Sequence, residues 1–191
     1  MDVGKLRGKA ISDIMLVVLL LSVLTVGFNV QRVRASGTIF IRSDGQFDPS
    51  SAPIHRDGDV YTFTDDILDG IVVERSNLTI DGAGYTLQGT GAYDSKGICL
   101  SCISNVTVMG ANIKGFDYGV YLNSTSDSVI SGNNVKNNMY GVWLLHSSNN
   151  NICENNIANN WRGIMPISSS NNSIVRNNIT ANTWRGIEVY Y

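Results

Sequence analysis

The chain has 191 residues and a formal charge of −2, with only 16% charged residues against 19 glycines. That length is the size of one domain, and the composition favours turns over helices. Five Lys/Arg and two Asp precede Ser36, leaving nine basic and fourteen acidic residues, a net −5, with no clustered basic face; nucleic acid is therefore not an expected partner, and no pattern calls for a cofactor.

In chain order, residues 1–35 read as an export segment. Lys5, Arg7 and Lys9 form a positive start, Ile14 to Phe28 carries no charge, and Val33-Arg34-Ala35 suits a cleavage site. The alternative is an uncleaved anchor over residues 11–30, close to the ~20 apolar residues that a span needs. Either way the remainder is extracytoplasmic, secreted or held to the membrane only through this segment. Three cysteines, Cys99, Cys102 and Cys153, allow at most one disulfide within the chain.

Residues 36–69 form the next region. Thr38-Ile39-Phe40-Ile41 and Val60-Tyr61-Thr62-Phe63 alternate like strands around a turn-rich stretch, as expected of a cap on an otherwise open sheet edge.

From residue 70 to 191 the sequence repeats. Gly97, Gly119, Gly141, Gly163 and Gly186 each precede Ile or Val, at intervals of 22, 22, 22 and 23; Gly70 lies 27 residues earlier, with a loop accounting for the excess. The fourth residue of each unit is Leu100, Leu122, Leu144 or Pro166. The twelfth is Val108, Ile130, Ile152 or Ile174, and the seventeenth is Ile113, Val135, Ile157 or Ile179. No 3.6-residue stripe appears, so short strands separated by turns are expected. The fold class is all-β: a right-handed single-stranded parallel β-helix of about five coils. Nineteen asparagines fall between Gly97 and Tyr191, against one between Gly37 and Lys96. The sixteenth column is asparagine throughout: Asn112, Asn134, Asn156 and Asn178. Coils stack roughly 4.8 Å apart, so this column is expected to form an inward amide ladder that satisfies the backbone at a bend. A further unit begins at Gly186, so either a longer protein or another chain is expected to cover the C-terminal edge.

Units such as Gly141-Val-Trp-Leu-Leu-His-Ser-Ser-Asn-Asn-Asn-Ile and Gly163-Ile-Met-Pro-Ile-Ser-Ser-Ser-Asn-Asn-Ser-Ile resemble the β-helix repeats of the NosD family. The resemblance, over residues 38–191, implies the fold. It also implies kinship with periplasmic proteins linked to copper delivery and with archaeal and bacterial surface proteins. One fold hosts many activities, so function must come from a site.

Three chemistries are weighed. Glycoside cleavage needs two carboxylates about 5–9.5 Å apart. Asp117 and Asp127 stand at the twenty-first position of one unit and the ninth of the next, which places them on different sides, so a polysaccharide-processing site would need coils outside this chain. Copper favours Cys, Met and His. Cys99-Leu-Ser-Cys102, Cys153, His146, Met109, Met139 and Met165 are the available donors, yet Cys102 and His146 stand two coils apart, as do Met109 and Cys153. No metal site is assigned. Binding is the preferred reading. Tyr121 and Trp143 occupy the outward third position, and Tyr118, Tyr140, Trp161-Arg162 and Trp184-Arg185 precede their glycines, giving an aromatic strip that suits sugar rings. Glycans or envelope components are the expected partners; packing across a turn is the alternative role for the strip. Sequons at Asn77, Asn105, Asn123, Asn171 and Asn178 are candidate glycan acceptors, with Asn178 set aside as inward-facing.

Overall fold

The computed structural model describes residues 37–191; the export or anchor segment lies outside the described residues. Those residues form an all-β parallel solenoid with three sheets of eight, seven and six strands. Each coil contributes one strand to each sheet. In the eight-stranded sheet Tyr118–Asn123, Tyr140–Leu145 and Arg162–Ile167 follow one another; Val129–Ser131 and Asn151–Cys153 do so in the seven-stranded sheet, and Asn134–Lys136 and Asn156–Ala158 in the six-stranded one.

The 22-residue spacing is the pairing register. Val120 lies beside Val142, Ile130 beside Ile152 and Asn134 beside Asn156, all in parallel strands. Residues 36–69, expected to cap the stack, also supply a turn to it. Ile39–Ile41, Val60–Phe63 and Ile67–Leu68 join the three sheets in parallel, while Phe47–Asp48 and Ile54–Asp57 close the edge in antiparallel pairs. The six-stranded sheet thus counts six coils instead of about five.

Alternation within each short strand sends one set of side chains inward. Ile98, Leu122, Ile130, Val135, Val142, Ile152 and Ile157 are fully buried in one continuous core running the length of the stack. Each such side chain contributes roughly 1.5–3 kcal/mol by leaving water. The repeated glycine has a steric cause. A Cβ on Gly119 would stand 2.7 Å from the carbonyl oxygen of Gly141, and one on Gly141 would stand 2.5 Å from that of Gly163.

Each regular coil turns at four left-handed residues. In the coil from Gly141 these are His146 (φ 48°), Asn149 (59°), Glu154 (60°) and Asn159 (56°). The residue after each corner points inward: Ser147, Asn150, Asn155 and Asn160 are all buried. Their side chains complete the bend of the preceding coil. The Asn133 backbone N–H donates to Asn155 Oδ1 at 2.9 Å, while Asn155 Nδ2 donates to the Ile130 carbonyl at 2.7 Å. Asn138 N–H to Asn160 Oδ1 and Asn160 Nδ2 to the Val135 carbonyl repeat this at the next corner, both at 3.0 Å.

This corrects the inward assignment of the sixteenth column. Asn112, Asn134 and Asn156 are half-buried and Asn178 is exposed, all on the outer face of the six-stranded sheet. Their amides do join, with Asn134 Nδ2 donating to Asn112 Oδ1 at 3.1 Å, Asn156 to Asn134 at 3.2 Å and Asn178 to Asn156 at 3.1 Å. The ladders that satisfy the bends lie one residue earlier, at Asn133, Asn155 and Asn177, and four residues later, at Asn138, Asn160 and Asn182. Asn178, set aside as a sequon because it should face inward, is in fact exposed.

Neighbouring asparagines should therefore differ in weight. Asn155→Ala leaves a buried N–H and a buried carbonyl unpaired and should cost about 3 kcal/mol, whereas Asn156→Ala should cost below about 1 kcal/mol. Urea unfolding of the two variants checks this; equal losses would contradict the assignment of the bend to Asn155.

Candidate functional site: the aromatic edge

The residue before each repeated glycine opens a strand of the eight-stranded sheet and faces outward. Lys96, Tyr118, Tyr140, Arg162 and Arg185 are in register there. Three residues on, the outward third column runs Cys99, Tyr121, Trp143, Met165. The two columns interlock. Tyr118 stacks on Tyr140 (5.1 Å between centroids, 13°) and meets Tyr121 and Trp143 edge-on, both at 5.2 Å. Tyr140 meets Trp143 at 4.6 Å and Trp161 at 5.7 Å, and Trp161 stacks on Trp184 at 6.4 Å. Such pairs contribute about 0.5–1.5 kcal/mol each beyond area burial.

The sequence-derived strip Tyr118, Tyr121, Tyr140, Trp143, Trp161, Arg162, Trp184 and Arg185 is thus one contiguous layer outside the sheet. Its density explains why outward-facing Cys99 and Met165 are only 9% and 6% exposed. Exposure rises toward Trp184, at 53%. The Trp143 indole nitrogen lies buried among the rings without a hydrogen-bond partner.

Cations flank the rings. The Arg162 guanidinium lies 3.9 Å from the Trp161 centroid, and Arg185 lies 5.2 Å from that of Trp184. Glu188 pairs with Arg162 through a short hydrogen bond to Nε and stands 4.0 Å from Arg185. At the other end the Lys96 ammonium sits 5.2 Å from Tyr121 and 5.6 Å from Tyr118, held by Asp94 at 2.8 Å. Lys96, Asp94 and Glu188 were not read from the sequence as part of the strip. Lys96 was accessible there, because it stands before Gly97 as Tyr118 stands before Gly119.

Burial pushes the Tyr118 phenol up to about 12, with the nearby Asp117 carboxylate adding to the shift. Tyr121 is raised by burial against the opposing pull of Lys96, and burial likewise raises the Cys99 thiol.

The other candidates are dispersed. Asp117 is buried and its Oδ2 accepts the Asp94 backbone N–H at 2.8 Å, while Asp127 is exposed at a left-handed corner. Cys102 and His146 occupy equivalent left-handed corners with Ser124 between them. Met109 and Cys153 are similarly separated by Ser131. All three thiols are free, and among the described residues no three His, Cys, Asp or Glu side chains gather as a metal site. These donors do not fit a shared copper ion.

A family model described as "Periplasmic copper-binding protein (NosD)" matches residues 50–191. The chain belongs to the NosD family. No curated protein and no solved structure matches it. Family membership agrees with an extracytoplasmic β-helix, and the matched residues hold every strand from Ile54–Asp57 onward.

The raised Tyr118 phenol has a signed consequence. Its folded-state pKa of about 12 exceeds the ordinary 10.0, so the unfolded chain loses the proton first as pH rises. This contribution is complete below about pH 10 and should be lost between about 10 and 12. Absorbance titration of the phenolates, with Tyr118→Phe as reference, should show one late-ionising tyrosine that the variant lacks.

Proposed function

We propose that this NosD-family chain is an extracytoplasmic binding and scaffolding module whose aromatic edge takes glycans. The observation that carries the reading is the continuous aromatic layer, half-buried at Trp143 and Trp161 and open to solvent at Trp184. Flat rings offer apolar faces to the C–H faces of sugars. The flanking Arg162 and Arg185 supply donors for hydroxyls, and Glu188, paired with Arg162, offsets one of their two charges. Successive coils repeat the contact along the axis, so an extended saccharide would meet several rings at once. Packing is the second role of the same layer: Trp143, beneath Tyr118 and Tyr140, serves the stack, and Trp184 is free to serve a ligand.

The test is glycan-array binding of the full chain beside Trp184→Ala and Trp161→Ala. Affinity should fall about tenfold or more in Trp184→Ala, equivalent to about 1.4 kcal/mol, with the β-rich circular-dichroism spectrum unchanged. A well-folded wild type that binds no glycan would leave the layer as structure alone.

Copper handling is the second reading, favoured by the family description. Titration of the full chain with Cu(I) against a competing chelator separates it from the first. Tight binding would establish it, through donors other than a Cys102–His146 pair; binding too weak to compete would set it aside.

A further inference from the structure

The outer face of the six-stranded sheet carries a different chemistry. Leu87, Ile113, Val135 and Ile157 point into the core, so the residues on either side of them point out. One outward row is Thr86, Asn112, Asn134, Asn156 and Asn178; the row beside it is Gln88, Lys114, Lys136, Ala158 and Thr180. Within the first row each Nδ2 donates to an oxygen of the preceding coil, beginning with Asn112 to the Gly84 carbonyl at 2.6 Å. An amide has two N–H donors and two acceptor lone pairs, so Asn112, Asn134 and Asn156 each retain one donor and one acceptor for a partner in solution.

Lys114 and Lys136 fall at the same place on successive coils, roughly 4.8 Å apart along the stack by strand spacing. Like charges side by side on a sheet repel. Among the described residues every ion pair involves other groups, although this part of the chain holds fourteen acids against nine bases. Both lysines line a cleft of about 240 Å³ together with Thr86, Asn112, Asn134 and Asn137.

We infer that this cleft binds an acidic sugar unit, its carboxylate between the Lys114 and Lys136 ammonium groups and its hydroxyls on the Asn112 and Asn134 amides. The two unpaired cations select an anion. The amides select a group that both donates and accepts, which a hydroxyl does and a phosphodiester oxygen does not. No aromatic ring lines the cleft, so it offers no platform for a nucleobase. The volume is below the roughly 300–1,000 Å³ of drug-sized sites and suits a single ring. The site lies on a different sheet from the aromatic edge and stands independently of the glycan reading given for that edge.

Calorimetric titration of the full chain with glucuronate and with a short oligouronate, beside glucose and a neutral oligomer of equal length, tests it. Uronate should bind, more weakly as salt rises, and the neutral sugars should bind at least tenfold less well. Equal affinity per site for monomer and oligomer would mark a one-ring site, and tighter oligomer binding would extend it along neighbouring coils; both support the assignment. The double variant Lys114→Gln/Lys136→Gln should lose at least tenfold in uronate affinity, Lys114→Arg/Lys136→Arg should keep most of it, and Trp184→Ala should leave it unchanged. The inference is overturned if uronate does not bind. It falls equally if the glutamine variant binds undiminished, if Trp184→Ala abolishes uronate binding, or if a single-stranded oligonucleotide binds more tightly than the oligouronate.

Discussion

Everything in this solenoid depends on how a coil turns a corner without abandoning its backbone polar groups. A left-handed residue bends the chain, breaking the sheet ladder at that point and leaving an N–H and a carbonyl facing the interior. Burying either unpaired costs on the order of 1–3 kcal/mol, and each regular coil has four such corners. From the Gly119 coil onward, the asparagine, serine or threonine after the corner supplies what is missing. Asn155 accepts from the Asn133 N–H and donates to the Ile130 carbonyl, so one amide closes both deficits. The apolar columns can then stay dry and continuous, and the three sheets can keep one register over six coils.

A consequence of that regularity is that outward positions also form columns. A residue type repeated outside becomes a strip whether or not a ligand selects it. The aromatic layer shows both outcomes: Tyr118, Tyr140 and Trp143 pack on one another and cover Cys99 and Met165, while Trp184 leaves half its surface to solvent. The sixteenth-column asparagines form the polar counterpart on another sheet, joined along the axis and open to water. Cys102 and His146 are columnar too, but on alternate coils, which keeps their donors apart.

The fold was legible in the sequence because its strongest signals have local causes: glycine where a Cβ would strike the next coil, and Ile or Val where side chains meet in the core. The ladder was misplaced by one residue for an equally physical reason. Doublets such as Asn133-Asn134 and Asn155-Asn156 offer two columns. The sixteenth holds one more asparagine, because Ala111 begins the fifteenth where Asn112 begins the sixteenth. What decides between them is the left-handed corner at the fourteenth position. Gly110 and Gly132 announce it, but Glu154 and Arg176 occupy it later in the chain and conceal it. The order of aromatics along the edge was readable from spacing. Their mutual packing, and the clamps Asp94–Lys96 and Arg162–Glu188, depend on side-chain reach that spacing does not encode.

Because every amide closes the corner of the coil before it, the repeat has a grammar of permitted interruptions. An insertion between a corner and its closing side chain would leave a hole in the dry interior one coil back. One placed after the last ladder position merely lengthens a surface crossing. The two irregular spacings obey this rule. The single extra residue of the 23-residue interval falls between Asn182 and Trp184, beyond the last amide of its unit. The 27-residue interval from Gly70 to Gly97 precedes the amide ladders, where buried Ile103, Val106, Ala111 and Phe116 stand at the closing positions instead. Loops grafted onto this stack have the same two addresses open to them.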